Sequence, residues 1–481
     1  MQAEAKYQNL TVIGLGIVFI FINAIVVLYL GQLYFAFAPI ALLVVLLTFK
    51  SYDKAFFLVV FLTPLSLSLS FFIPEIDFNI SLFTEPLLIL ILGILIFKFF
   101  LNRKVEKSLL LHPISIAVIF YLFWMLITTI SSTLPLVSIK FWLVKLWFII
   151  PVFYFGTTLF KDYSKIKPFL WLMAASIFIV VVISTIELGQ TSFLAKNAAH
   201  FVVKPFYNDH TAYGAIVALI APLWWGMTFK AKIKPLYKYI SLLFALAFTV
   251  AVILSYSRAS WIGLAFALGI WAIIKLKIRL RLIITVVVIV AVFIFSFWFQ
   301  IIDKLDDNRQ DSSSKISHHL TSITNISTDA SNVERLNRWH CAIEMFKQKP
   351  ITGWGPGTYQ FQYAPFQLER MRTIISTNFG DIGNAHSEYL GPLAEQGLLG
   401  SLAFIWIAIA VISTGIRVYK NSEDKEIRML ALSITLGFMT YFLHGLMNNF
   451  LDTDKLAIPF WGFAAVLVAL DIYHIKKIAK S

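Results

Sequence analysis

The chain has 481 residues, of which 59% are hydrophobic and only 14% charged, and its mean hydropathy is +0.79. No soluble domain of this size carries such a composition, so the chain reads as a polytopic membrane protein. Its net charge of +14 falls largely in short basic connectors between apolar runs, the pattern that orients a membrane protein, and this excludes nucleic acid as the partner.

From the N-terminus, apolar runs lie at 10–30, 33–49, 55–72, 82–100, 110–131, 141–160, 168–187, 210–229, 239–255, 258–275, 281–301, 390–416, 429–447 and 457–474. Many reach the roughly 17 to 22 residues that cross the hydrocarbon as helix, and none alternates like a barrel strand. The fold class is therefore an all-α polytopic membrane protein with about 12–14 transmembrane helices. The first run follows a single lysine and lacks a small-residue cleavage site, which predicts a retained span. Basic clusters such as KSYDK near 50, KFFLNRKVEK near 98, KDYSKIK near 161, KAKIKPLYK near 230 and KLKIRLR near 275 mark cytoplasmic loops. An even number of spans separates each neighbouring pair, so both ends fall inside.

Parity then puts the segment 302–385 outside, as the one large hydrophilic loop, between the eleventh and twelfth spans. The chain divides into helices with short loops over 1–301, this loop over 302–385, and C-terminal helices over 386–481. The first half of the loop, DSSSKISHHLTSITNISTDASN, is polar and reads as mobile. The second half reads as folded. Ser331 and Glu334 have capping-box spacing, and Val333, Leu336, Trp339, Ile343 and Phe346 recur at helical intervals over about 331–347. Pro350 ends that helix before the turn sequence from Gly353 to Gly357. The only cysteine, Cys341, excludes an intramolecular disulfide.

Candidate functional residues gather toward the outer side. Lys140 and Lys145 open the sixth span, where orientation does not call for them, and Lys145, a turn further in, needs a protein partner or a cavity. In the loop KPFYNDHTAYG, Asn208 and His210 are placed either to bind ligand hydroxyls, such as those of a sugar, or to cap the helix that begins near Thr211. Arg258 interrupts an apolar run within SYSRASW and there requires a lipid phosphate, a carboxylate or a substrate phosphate. Arg335 and Arg338, three apart on the outer helix and away from its apolar stripe, can reach one anion such as a diphosphate, or form a solvated face.

His386 lies in the tract Asn384 to Leu390, just before a new apolar helix. A neutral imidazole there suits removal of a proton from a hydroxyl, while a structural histidine held by a backbone carbonyl is the plainer alternative. On an unbroken helix, Asn384, Glu388, Gly391 and Glu395 fall within about 40° of one another, and His386 projects from nearly the opposite side. Only an irregular first turn lets Glu388 orient the imidazole. Neither a metal constellation nor a phosphate-binding glycine loop is apparent, so no metal and no cofactor is expected.

The motifs YNDHTAYG, SYSRASWIGL, ERLNRWHCAIEMFKQKPITGWGPGTYQF and NAHSEYLGPLAEQGLLG, in that order over roughly 200–405, resemble the O-antigen ligase and O-antigen polymerase superfamily. The resemblance implies a bacterial inner-membrane glycosyltransferase of the GT-C type, multi-pass, with its active site facing the periplasm. Its partners would be a glycan donor on undecaprenyl diphosphate, a lipid A core or other glycan acceptor, and membrane lipids. Arg258 and Arg335 match the arginines expected to hold the diphosphate, and His386 the histidine expected to act on the acceptor hydroxyl. Lys140, Lys145 and Arg338 stand as further donor-binding candidates, and Glu388, Glu395, Asn384, Asn208 and His210 as supporting or sugar-binding ones. The chain departs from the pattern at His210, where many relatives have asparagine, and at Arg338, where they have an apolar residue.

A lipid diphosphate is already an activated leaving group, so arginines and one base suffice for an inverting displacement without a metal. One large loop between the eleventh and twelfth spans favours ligase over polymerase or protein O-oligosaccharyltransferase. A lipid-linked oligosaccharide flippase, the alternative of a different class, predicts two similar halves and charges spread through a lumen. The sequence shows neither.

Overall fold

The computed structural model describes residues 16–26, 48–72, 81–102, 106–193, 196–229, 234–279, 330–372 and 383–475, with isolated positions elsewhere. The run at 10–30 is described mainly as the short apolar helix Gly16–Val26, whereas the runs at 33–49 and 281–301 and the polar tract 302–329 lie wholly or largely outside the described residues. Ten helices among the described residues are long and apolar enough to cross a membrane, and these residues form no strand. The protein is an all-α polytopic membrane protein.

In chain order the helices are α1 (Tyr52–Leu62), α2 (Thr84–Asn102), α3 (Pro113–Ile130), α4 (Pro135–Ile149), α5 (Ile166–Thr191), α6 (His210–Thr228), α7 (Pro235–Leu254), α8 (Arg258–Lys275), α9 (Ala330–Gln348), α10 (Leu390–Asn421), α11 (Lys425–His444) and α12 (Asp454–Ala469). Proline opens α3, α4 and α7, where its missing N–H leaves no bond unmade. Aspartate or serine side chains cap α6, α8 and α11. Past Ile149, α4 continues through a π-helical turn, Ile150–Phe155, in which Pro151 interrupts the regular ladder.

The expected span at 55–72 is not one helix. It stops at Leu62, gives way to a 3-10 turn at Thr63–Leu65 opened by the Thr63-Pro64 step, and resumes only for Leu69–Phe72. The N-terminus of α12 fills the break: Asp454 accepts from Ser66 (3.1 Å) and Thr84 (2.6 Å), and Lys455 donates to the Thr63 carbonyl at 2.7 Å. Polar groups freed within an apolar bundle thus find partners in protein.

Helices α6, α11 and α12 are the most enclosed and form the centre of the bundle. Around them α6 packs on α7 and α11, and α10 packs on α3, α11 and α9. Lipid tails are as apolar as leucine, so these contacts depend on close packing. Gly437 of α11 shows this: a Cβ there would collide with the Leu219 carbonyl of α6.

The two ends of the bundle differ. At one, Asp471 holds Arg417 and His112 (3.0 Å to His112), and Lys161 lies 3.7 Å from Glu106. At the other, α9 and the segments 349–372 and 383–389 pack over α10, sharing a small core of Cys341, Ala342, Met345, Tyr359, Tyr363, Ala385 and Ala394.

Candidate functional site

The tract from Asn384 to Tyr389 is not helical; α10 begins at Leu390. Asn384 Oδ1 accepts from the His386 N–H at 3.0 Å, and His386 sits at φ 48°, a left-handed conformation imposed by this short turn. Ser387 Oγ then accepts from the N–H groups of Tyr389 (3.2 Å) and Leu390 (3.3 Å), opening α10. The projection that set His386 opposite the glutamates assumed a helix here and is corrected. Asn384, His386, Glu388, Gly391 and Glu395 all line one cavity of about 580 Å³.

That cavity is also lined by Asn208 and Asp209 from the loop before α6, Arg338 of α9, Tyr121 of α3, Phe141 of α4, Gln396 of α10, and Asn449 and Asp452 from the α11–α12 connection. The helix α10 departs from regularity again at Gly397, φ 69°. Leu398 N bonds the Pro350 carbonyl there, and Gly355 N bonds the Glu395 carbonyl at 2.7 Å, so the predicted glycine turn plugs a broken helix. Any side chain at Gly397 would strike Ile351, which explains the residue.

The two glutamates are structural struts as well as cavity wall. Glu395 accepts from Tyr359 N at 2.9 Å. Glu388 accepts from the Tyr441 hydroxyl and from the N–H groups of Phe450 (2.9 Å) and Leu451 (3.0 Å). It therefore tethers the α11–α12 connection and does not orient the His386 ring. Asn448, from the α11–α12 connection, acts on the imidazole, and its Nδ2 donates to His444 Nε2 at 3.1 Å.

On α9 the buried face is polar toward the N-terminal half and apolar beyond it. Glu334, Asn337, Arg338, Cys341, Ala342 and Met345 point inward, whereas Ile343 of the expected apolar stripe is exposed. The predicted capping box is absent, because the helix already starts at Ala330 and Glu334 instead accepts from Arg338 Nε at 2.7 Å. Arg338 also donates to the Asn384 carbonyl (3.1 Å) and lies over the Tyr363 ring. It is a buried, paired cation in the cavity wall, and the solvated-face reading fails for it.

Arg258, the first residue of α8, and Arg335 converge. Arg258 Nη2 and Arg335 Nη1 lie 3.4 and 3.3 Å from the same acceptor, Asn332 Oδ1. Both are half-buried. The charge of Arg335 is felt at His386, and that of Arg338 more strongly. Burial first, then Arg338 and Arg335, push the imidazole down to about 3, with Asp209 and Asn448 opposing. The base candidate is held neutral.

Other candidates stand elsewhere. Lys145 is buried, and its ammonium is committed to Asp452 Oδ1 (2.6 Å) and the Leu451 carbonyl (3.0 Å). Its pair shapes the cavity wall through Asp452. Lys140 is exposed on α4 and interacts electrostatically with Glu85. The α6 cap is Asp209, which accepts from Thr211 N and Ala212 N (2.9 Å), and is neither Asn208 nor His210. Asn208 faces the cavity. His210 instead bonds the Ser255 carbonyl at 2.8 Å and is buried between helices.

The sequence reading missed Asn332, Asp209, Asn448, Asn449 and Asp452. A signal was present for the last three: the short connector MNNFLDTD carries two amides and two carboxylates between apolar runs.

Residues 241–405, about a third of the chain, match the family model described as O-antigen ligase. The match bears out the resemblance and spans Arg258, Arg335, Arg338, Asn384, His386, Glu388 and Glu395. No curated protein matches the chain.

Proposed function

We propose that this chain, whose 241–405 segment is an O-antigen ligase domain, moves a glycan from undecaprenyl diphosphate to an acceptor hydroxyl of lipid A core at the periplasmic face of the bacterial inner membrane. At the coarser level it is a multi-pass membrane glycosyltransferase of the ligase and polymerase type. The observation that carries the finer reading is the convergence of Arg258 and Arg335 on Asn332, with the Arg335 charge felt at His386, which lines the cavity together with Arg338.

In this reading the arginines gather the diphosphate, whose developing charge they stabilise as the anomeric C–O bond breaks. His386 takes the proton of the acceptor hydroxyl while its oxygen forms the new bond to the anomeric carbon. One in-line displacement inverts the configuration. Burial first, then Arg338 and Arg335, keep His386 a weak base. A bound diphosphate offsets the two arginine charges and so raises the basicity of the imidazole when the donor is present. Asn208, Asn384 and Asn449 supply hydroxyl-binding groups on the cavity wall.

The test supplies a defined undecaprenyl diphosphate glycan with candidate acceptors to the purified protein in nanodiscs, and identifies products by mass. Glycan on lipid A core supports the ligase reading. Two joined repeats on lipid indicate a polymerase, and no product with any acceptor favours transport.

A further inference from the structure

Glu388 commits only one of its two carboxylate oxygens to the fold. Its backbone N–H donates to the Gly445 carbonyl at 2.8 Å, and Oε1 accepts from the Tyr441 hydroxyl and from the N–H groups of Phe450 (2.9 Å) and Leu451 (3.0 Å). Three donors on one oxygen fix the orientation of the carboxyl group. Oε2 takes no bond among the described residues, although Glu388 is 6% exposed and lines the cavity.

The wall beside it is short of donors. Among the described residues the Tyr121 hydroxyl of α3 has no hydrogen-bond partner, and Gln396 Oε1 and Asn449 Oδ1 are buried without one. All four residues line the same cavity, and Phe141 adds aromatic surface. The charges felt at Tyr121 are Lys145, Asp452, Glu388 and Glu395, whereas Arg338 and Arg335 act foremost on His386. One part of the cavity is therefore cationic and another rich in acceptors. A buried acceptor without a donor is costly, and a ligand hydroxyl removes that cost.

We propose that Glu388 Oε2, Gln396, Asn449 and Tyr121 form a subsite for a neutral sugar residue, recognised by the hydrogens of its free hydroxyls. The subsite rests on the reading of the cavity as a glycan-transfer site and names the class of sugar it takes. Sugar hydroxyls supply the missing donors, while the aromatic residues face the apolar part of the ring. A phosphate or a uronic acid carboxylate brings no hydrogen to these acceptors and is left to the arginines. Glu388 follows His386 by two residues on one hydrogen-bonded turn, so the sugar lies beside the imidazole. A sugar of the acceptor and the first sugar of the donor share this chemistry.

The experiment uses the full-length protein in nanodiscs at about pH 8, so that the Glu388 carboxyl, which burial raises, is ionised. Saturation-transfer NMR compares a panel of neutral disaccharides with their per-O-methylated forms, which keep the oxygens and lose every donor. Wild type should prefer a free disaccharide by about 10-fold or more. Glu388→Gln keeps an oxygen for the three donors on Oε1 and turns an amide NH2 to the cavity, so the preference should shrink with Tm unchanged. Gln396→Leu should weaken the free sugar and spare the methyl ether, and it decides the matter if Glu388→Gln fails to fold. In transfer assays, a raised acceptor KM assigns the sugar to the acceptor and a raised donor KM to the donor. Absence of binding by any disaccharide, an equal loss for both ligands, an unchanged preference in the variants, or lowered kcat with both KM values unchanged overturns the subsite and leaves Glu388 a strut. Binding as expected in a wild type that transfers no glycan keeps the subsite and removes the transfer reading.

Discussion

At the residue scale, the proposed chemistry depends on how charges are distributed around one imidazole. Because burial, then Arg338 and Arg335, hold His386 down to about 3, the free protein keeps this proposed base unprotonated far below neutrality. The kcat/KM of the wild type should therefore stay level between pH 8 and 5, and an acidic limb near 6.5 would contradict the assignment. Arg338→Gln removes the larger of the two cationic effects, so the imidazole titrates at higher pH and the acidic limb moves upward. A limb that moves downward, or not at all, would show that Arg338 does not act on the ring. Lys145→Met leaves Asp452 without its ammonium partner and should destabilise the protein by roughly 2 to 4 kcal/mol, read as a lower Tm in detergent. Most of these residues were legible as unusual ionisable groups near a membrane boundary. Their partners were less so: the polar connector of Asn448 and Asp452 stands out in the chain, but no spacing pairs Asp452 with Lys145 or Asn332 with Arg258, which lie far apart in sequence.

At the element scale, local rules read the chain well where structure is regular and fail where a tertiary partner decides. The outer helix was expected over 331–347 and runs from Ala330 to Gln348. Its buried face was misread, since a stripe of apolar residues is a poor guide when an Arg338–Glu334 pair can be buried instead. The start of α10 was read too early because Asn384 and Ser387 bond backbone groups and hold the tract out of the helix. The broken α1 could have been suspected from Thr63-Pro64, but its filling by α12 could not. Two glycines test the packing account. Gly437→Val drives a side chain into the Leu219 carbonyl and should destabilise the bundle by about 3 kcal/mol or more, lowering Tm and yield. Gly397→Val strains a positive φ and displaces Ile351, so it should uncouple the glycine turn from α10 and reduce transfer. Unchanged Tm in Gly437→Val would sink the close-packing argument.

At the scale of the whole molecule, the bundle sets a cavity and its arginines at one end and a basic, ion-paired surface at the other. Composition and run length were enough to read an all-α membrane protein, because the bilayer allows few other solutions. From charge placement we propose an orientation with the cavity outside. In a Cys341→Ser background, a cysteine placed by Gln360→Cys should react with impermeant maleimide in intact spheroplasts, and one placed by Ser164→Cys only after lysis; the reverse pattern would invert the topology. The central claim is that one neutral histidine opposed to an arginine clamp performs the transfer. It is tested most directly by a single-turnover measurement on purified wild-type protein and His386→Ala, following donor binding and glycan transfer from undecaprenyl diphosphate in the same sample. The expected result is equal donor binding, with inverted product only in the wild type, whereas full transfer by His386→Ala would contradict it.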